Sequence, residues 1–232
     1  MFTFKLRKSL NITLEKTRIP EFLDVFLNER YSRPFRNALI KNPEPVIVDI
    51  GAGEGFFSLY ALHRFPRARV FGFEQASGPF LTLQQHWSSY NHSSFSIYNY
   101  RVCKNDGLFV ESQGYHKTLF VKSVKLNTLR RKYQLKQIDL LKLSCAGNEY
   151  EILYHLPAQE FLTIIQIAMD VYNIDRGAKN LNNMKAFLEE NGYFVTCEKT
   201  AVVKNKSVIW ASRIEKAGTR IIKQTRNADQ HF

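Results

Sequence analysis

Cysteine is scarce and scattered: Cys103, Cys145 and Cys197 are the only three in 232 residues, and none forms a CxxC pair or a Cys/His cluster. Such spacing suits neither a disulfide framework nor a structural zinc site, so reduced, mostly buried thiols are expected. Histidine is thin as well, at six residues, and no metal site can be assembled from the histidines and acids. Long apolar runs are also missing. No stretch approaches the roughly 20 apolar residues that cross a bilayer, and the opening MFTFKLRKSLNITL has basic residues without an apolar run behind them. The expectation is a soluble, cytoplasmic chain with no membrane span. Acids fall short of bases, 21 against 33, leaving a formal charge of +12. A surface so charged attracts anions: nucleic acid, phosphorylated sugars, acyl-carrier proteins or acidic lipid headgroups. Solvation alone accounts for the spread of basic residues without any partner.

What is plentiful is apolar material for a core. Hydrophobic residues make up 44% of the chain, enough for one sizeable domain with short appendages. The expected division is an N-terminal helical cap over 1–42, an α/β domain over 43–213 and a basic tail over 214–232. Residues 1–18 read as polar and basic. From Pro20 to Ile40 the apolar residues recur at helical spacing, with Pro34 dividing two short helices. The run Val46 to Ile50, bounded by prolines and glycines, reads as a buried parallel strand. Beyond it strands and helices alternate, with strands expected at 69–74, 95–102, 138–143, 163–170, 193–199 and 207–213 and a polar hairpin turning at Asn105, Asp106 and Gly107. This is the order of a Rossmann-like, seven-stranded, mostly parallel sheet with helices on both faces.

The sharpest feature is Asp49-Ile50-Gly51-Ala52-Gly53-Glu54-Gly55 between the first core strand and a helix. Glycines there permit a tight turn that a ligand can approach closely. A dinucleotide fingerprint would need glycine at position 56, where Phe56 stands. Asp49 and Glu54 would repel a pyrophosphate, whereas a ligand carrying an ammonium and a sulfonium tolerates carboxylates. S-adenosylmethionine fits that pattern better than NAD. Glu74 follows about twenty residues after the turn, where an acid accepts from ribose hydroxyls; Gln75, next in line, would lie near the adenine.

With both marks in place, the sequence resembles the FkbM family of S-adenosylmethionine-dependent methyltransferases, chiefly O-methyltransferases of sugars, glycans and secondary metabolites. The resemblance runs from about Val46 to Trp210 through VIVDIGAGEGFFSLYAL, VFGFEQ and IDLLKLSCAGNEYEIL. It implies a cofactor site of Asp49, Gly51, Ala52, Gly53, Gly55, Phe56, Glu74, Gln75 and Ser144. The family usually reads K-I-D-V-E-G-A-E where this chain has Lys142-Leu143-Ser144-Cys145-Ala146-Gly147-Asn148-Glu149, so Ser144 and Ala146 replace two acids. The candidates for chemistry are then Asp170, Glu149 and Lys142. Glu149 also reads as a first-turn acid favoured by the helix dipole, and Lys142 as an ion-paired strand lysine. Three functions stay open: methylation of a hydroxyl on a small molecule or glycan, a degenerate member acting as a binding or assembly subunit, and a nucleic-acid methyltransferase. Against the last, no aromatic-basic platform of the kind that stacks bases is evident.

Overall fold

The computed structural model describes residues 2–6, 10–35, 40–90, 94–112, 118–199 and 205–213. Strands β1 (Phe2–Leu6) and β2 (Leu10–Leu14) form an antiparallel hairpin, and α1 (Ile19–Phe26) follows. A 3-10 turn at Arg33–Phe35 comes next. The α/β unit then runs β3 (Val46–Ile50), α2 (Phe56–Arg64), β4 (Arg69–Phe73), α3 (Ser77–Tyr90) and β5 (Phe95–Tyr98). After it come β6 (Tyr100–Val102), β7 (Gly107–Ser112), β8 (Thr118–Val124), α4 (Leu126–Lys132) and β9 (Leu140–Leu143). The chain continues with α5 (Glu149–Leu153), α6 (Ala158–Phe161), β10 (Gln166–Tyr172), α7 (Leu181–Glu190), β11 (Phe194–Lys199) and β12 (Lys206–Ser212).

Seven strands make the main sheet in the order β11-β12-β10-β9-β3-β4-β5. The five from β10 to β5 are parallel, and β12 runs antiparallel to both β10 and β11. Parallel strands covered on both faces must be apolar nearly throughout, which Ile47, Val48, Leu140, Leu141, Ile167 and Ala168 satisfy. Alternate residues feed two cores: Val48, Ile50, Leu141 and Met169 face one, and Ile47, Val70, Leu140 and Ala168 face the other. The strand order reverses between β3 and its neighbour β9, which opens a crevice at their carboxyl ends, where α/β sheets bind ligands.

Three expectations need correction. The segment before residue 18 is not merely polar: Ile12 and Leu14 are buried, because FTFKL and LNITL alternate with the period of a strand. The turn at Asn105–Gly107 does not close a hairpin. β6 pairs in parallel with β8, and β8 pairs with β7, as a separate three-stranded sheet. Asp106 there accepts from Lys125 N at 2.9 Å and Thr128 Oγ1 at 3.0 Å, so the segment caps α4. The thiols are less buried than expected: Cys103 and Cys145 are half-buried and Cys197 is exposed, all three free. A second helix near Leu39 and the tail over 214–232 lie outside the described residues. No helix among the described residues is long and apolar enough to cross a membrane.

Candidate active site

Three left-handed glycines build the turn after β3. Gly51, Gly53 and Gly55 have φ of +73°, +56° and +85°, a region costing an L side chain about 1–2 kcal/mol. At Gly51 a Cβ would also lie 2.1 Å from the Ser144 carbonyl oxygen, so the end of β3 meets the end of β9 backbone to backbone. Four N–H groups of the turn are engaged inward. Gly51 N and Ala52 N both donate to the Phe73 carbonyl, at 2.9 and 3.0 Å, and Gly55 N donates to the Ala52 carbonyl at 2.9 Å. Gly53 N donates to Glu74 Oε2 at 2.8 Å, and Ala76 N to Glu74 Oε1 at 2.7 Å. A pyrophosphate needs such donors free and convergent. This turn instead offers a carboxylate whose oxygens keep lone pairs for hydroxyl donors.

The cleft beside it has a volume of about 160 Å³. Its walls are Ile50, Gly51, Phe73, Glu74 and Gln75 from the ends of β3 and β4, Tyr100, Arg101 and Val102 from β6, and Ser144, Cys145, Ala146 and Asn148 after β9. Of the residues expected around a cofactor, Gly51, Glu74, Gln75 and Ser144 line it, while Ala52, Gly53 and Gly55 shape the turn behind it. Asp49 and Phe56 do not line it. Asp49 is fully buried beneath the turn, accepting from Ser58 Oγ at 2.7 Å and paired with Lys142 Nζ at 2.8 Å. Phe56 packs edge-on against Phe22, at 5.7 Å between ring centres.

The three candidates for chemistry also sit behind the wall. Lys142 Nζ donates to the Gly51 carbonyl at 2.8 Å as well as pairing with Asp49. Burial works to lower its pKa, but the Asp49 carboxylate outweighs burial and holds the ammonium above its ordinary value. It therefore fastens the turn to β9. Glu149 is buried and accepts from Cys145 N and, at 2.6 Å, from Gly147 N, which folds the loop after β9 onto the start of α5. Burial, only partly offset by those N–H groups, pushes its carboxyl up. Asp170, 1% exposed, is a hub. Its Oδ1 accepts from Arg30 Nη2 at 2.5 Å, and its Oδ2 from Ser144 Oγ at 2.7 Å, Lys206 Nζ at 2.9 Å and Tyr31 OH at 3.2 Å. Burial would raise its pKa, yet Arg30 and Lys206 prevail and hold it below the ordinary value. Burial and Asp170 together push the Tyr31 phenol well up, and burial does the same to the Cys145 thiol.

Sequence reasoning missed Tyr100, Arg101 and Asn148. Asn148 Nδ2 donates to the Val102 carbonyl at 2.6 Å, tying the β9 loop to β6. The available signal was Asn99, a poor strand residue inside the run 95–102: its amide donates to the Glu74 and Gln75 carbonyls, and there the chain leaves the main sheet. Arg30 and Lys206 were also missed, as was the bond from Tyr31 to Asp170, since only the fold brings them together. Among the described residues no group of His, Cys, Asp and Glu could hold a metal ion.

The profile of the methyltransferase FkbM domain matches residues 49–195, more than half of the chain. The chain belongs to the FkbM methyltransferase family. It is an S-adenosylmethionine-dependent methyltransferase of the class I, Rossmann-like fold. Over 210 residues it is 22% identical to Methyltransferase 1 of Beauveria bassiana, covering 76% of this chain and 81% of that one. A stretch of 53 residues, 23% of the chain, is 43% identical to the AMB antimetabolite synthetase AmbE of Pseudomonas aeruginosa and spans only 2% of that protein. In fold it is similar to a methyltransferase FkbM from Methylobacillus flagellatus, with a TM-score of 0.54 at 15% identity over 86% of this chain and 56% of that one. The FkbM cofactor suits the turn described above, since Glu74 and the engaged N–H groups favour a cationic, hydroxyl-bearing ligand over a phosphate.

Proposed function

We propose that this FkbM methyltransferase methylates a hydroxyl oxygen of a small molecule or glycan. In this reading Gly51, Glu74, Gln75 and Ser144 contact S-adenosylmethionine, with Glu74 on the ribose hydroxyls and Gln75 beside the adenine. When bound, the cofactor supplies an electrophilic methyl group on its sulfonium. The chain need contribute no nucleophile; holding the reactants in near-attack geometry can account for most of the acceleration. Residues 43–213 form the catalytic domain and residues 1–42 a cap beside Asp170, to which Arg30 and Tyr31 are bonded.

The observation that carries the reading is Ser144 Oγ donating to Asp170 Oδ2 at 2.7 Å on the cleft wall. Its proton is committed to Asp170, so the serine oxygen presents lone pairs to the cleft and suits an acceptor that donates a hydrogen bond. Asp170, held ionised by two cations, orients Ser144 and is a weak base. Incubation with methyl-labelled S-adenosylmethionine and a panel of sugars, glycans and hydroxylated metabolites tests the proposal. Label in an ether or ester oxygen is expected. Label on nitrogen, or on RNA alone with steep salt dependence, overturns it.

A further inference from the structure

The small sheet of β6, β8 and β7 carries a face of which only the β6 end, at Tyr100 and Val102, reaches the cleft. In its register Val110 pairs with Phe120, Leu108 with Lys122 and Tyr100 with Lys122, so Tyr100, Leu108, Val110, Phe120 and Lys122 share one side. The inner end of that side is core: Val102 and Val124 are each 3% exposed. Its outer end runs into solvent, with Leu108 at 73%, Phe120 at 69% and Val110 at 52% exposure. Three of the nine large apolar side chains exposed among the described residues thus lie together on one hairpin. Such clustering marks an interaction surface, whereas apolar residues exposed singly are ordinary.

Charge decides what it meets. No position on this side of the three strands is acidic. Lys122 Nζ lies 5.4 Å from the centre of the Tyr100 ring, and Lys132 Nζ donates to Tyr100 OH at 3.2 Å, which places two ammonium groups beside the apolar patch. The whole chain carries +12, so like charge opposes a second copy. Apolar side chains projecting beside lysines match an interface with acyl chains below and anionic headgroups around it. We propose that the β7–β8 face is a docking surface for anionic lipid bilayers, with Phe120, Leu108 and Val110 entering the headgroup region and Lys122 and Lys132 meeting its negative charge. Tyr100 belongs both to this face and to the cleft wall, so a docked enzyme holds its cleft close to the membrane. The inference is independent of which acceptor is methylated.

Co-sedimentation of the full chain with phosphatidylcholine vesicles, with and without phosphatidylserine, tests it. Binding is expected to the anionic vesicles and to fall with salt. Leu108→Ser with Phe120→Ser should weaken it at least about tenfold through lost apolar burial. Lys122→Glu should weaken it by about fivefold or more on anionic vesicles alone, the factor that one lysine contributes at such a surface. All of these positions are exposed, so thermal midpoints and heats of S-adenosylmethionine binding should match wild type. Absence of anionic-vesicle binding, or undiminished binding by the double serine variant, refutes the proposal. So does a sedimentation-equilibrium dimer that the double variant converts to monomer, which would assign the face to a second copy.

Discussion

Replacing Asp170 by asparagine removes one charge and little volume from a carboxylate that holds four donors behind the cleft wall. The carboxylate is 1% exposed and faces Arg30 at 19% and Lys206 at 9% side-chain exposure. Removing one partner from a buried charge cluster costs about 3–5 kcal/mol, because the remaining charges lose their compensation. Arg30 keeps its pairing with Asp24 at 3.0 Å, which is one-third exposed, so the lower part of that range is expected, about 3 kcal/mol. The loss has a pH signature. Asp170 has a folded pKa below its ordinary 3.8, so its contribution is complete above that value and fades as pH falls through the folded one. Urea unfolding of wild type and Asp170→Asn should therefore differ by a constant amount from about pH 5 to pH 8, with the gap narrowing below pH 4. A difference under about 1 kcal/mol at neutral pH, the worth of an exposed pair, refutes the hub. A gap that widens in acid would refute its electrostatic origin.

Gly51→Ala should destabilise the fold by about 3 kcal/mol or more, since it joins a left-handed backbone to a clash with the Ser144 carbonyl; thermal denaturation checks this. Lys142→Met leaves Asp49 buried without its cation and is expected to lower stability by about 3–5 kcal/mol in urea. Ser144→Ala removes one of the four donors on Asp170 and should cost only about 1–3 kcal/mol. On the proposed function it lowers kcat more than it raises the KM for S-adenosylmethionine. An unchanged kcat would take Ser144 out of the acceptor's surroundings.

Local pattern carried much of this architecture. The run Val46–Ile50 and its glycines, the spacing to Glu74 and the apolar strand ending at Asp170 are contiguous signals, and each landed within a few residues of the observed element. Which carboxylates line the cleft was not legible, because alternation within each strand does not relate Asp49 to Lys142. Only the register of β3 against β9 pairs them and closes them off from the cleft. The same holds for Asp170, whose partners come from residues 30, 31, 144 and 206. The β1–β2 hairpin was legible in principle, as FTFKL and LNITL alternate, but basic residues in and between them are equally the pattern of a solvated segment.

A preference for S-adenosylmethionine over NAD follows from the glycine turn presenting Glu74 in place of convergent free N–H groups. Isothermal titration of wild type and Glu74→Ala with S-adenosylmethionine and, separately, with NAD tests it most directly. Wild type should bind S-adenosylmethionine and not NAD, and Glu74→Ala should bind at least about tenfold more weakly, the worth of hydrogen bonds to a charged acceptor. NAD binding comparable to that of S-adenosylmethionine, or an affinity indifferent to Glu74, would contradict it.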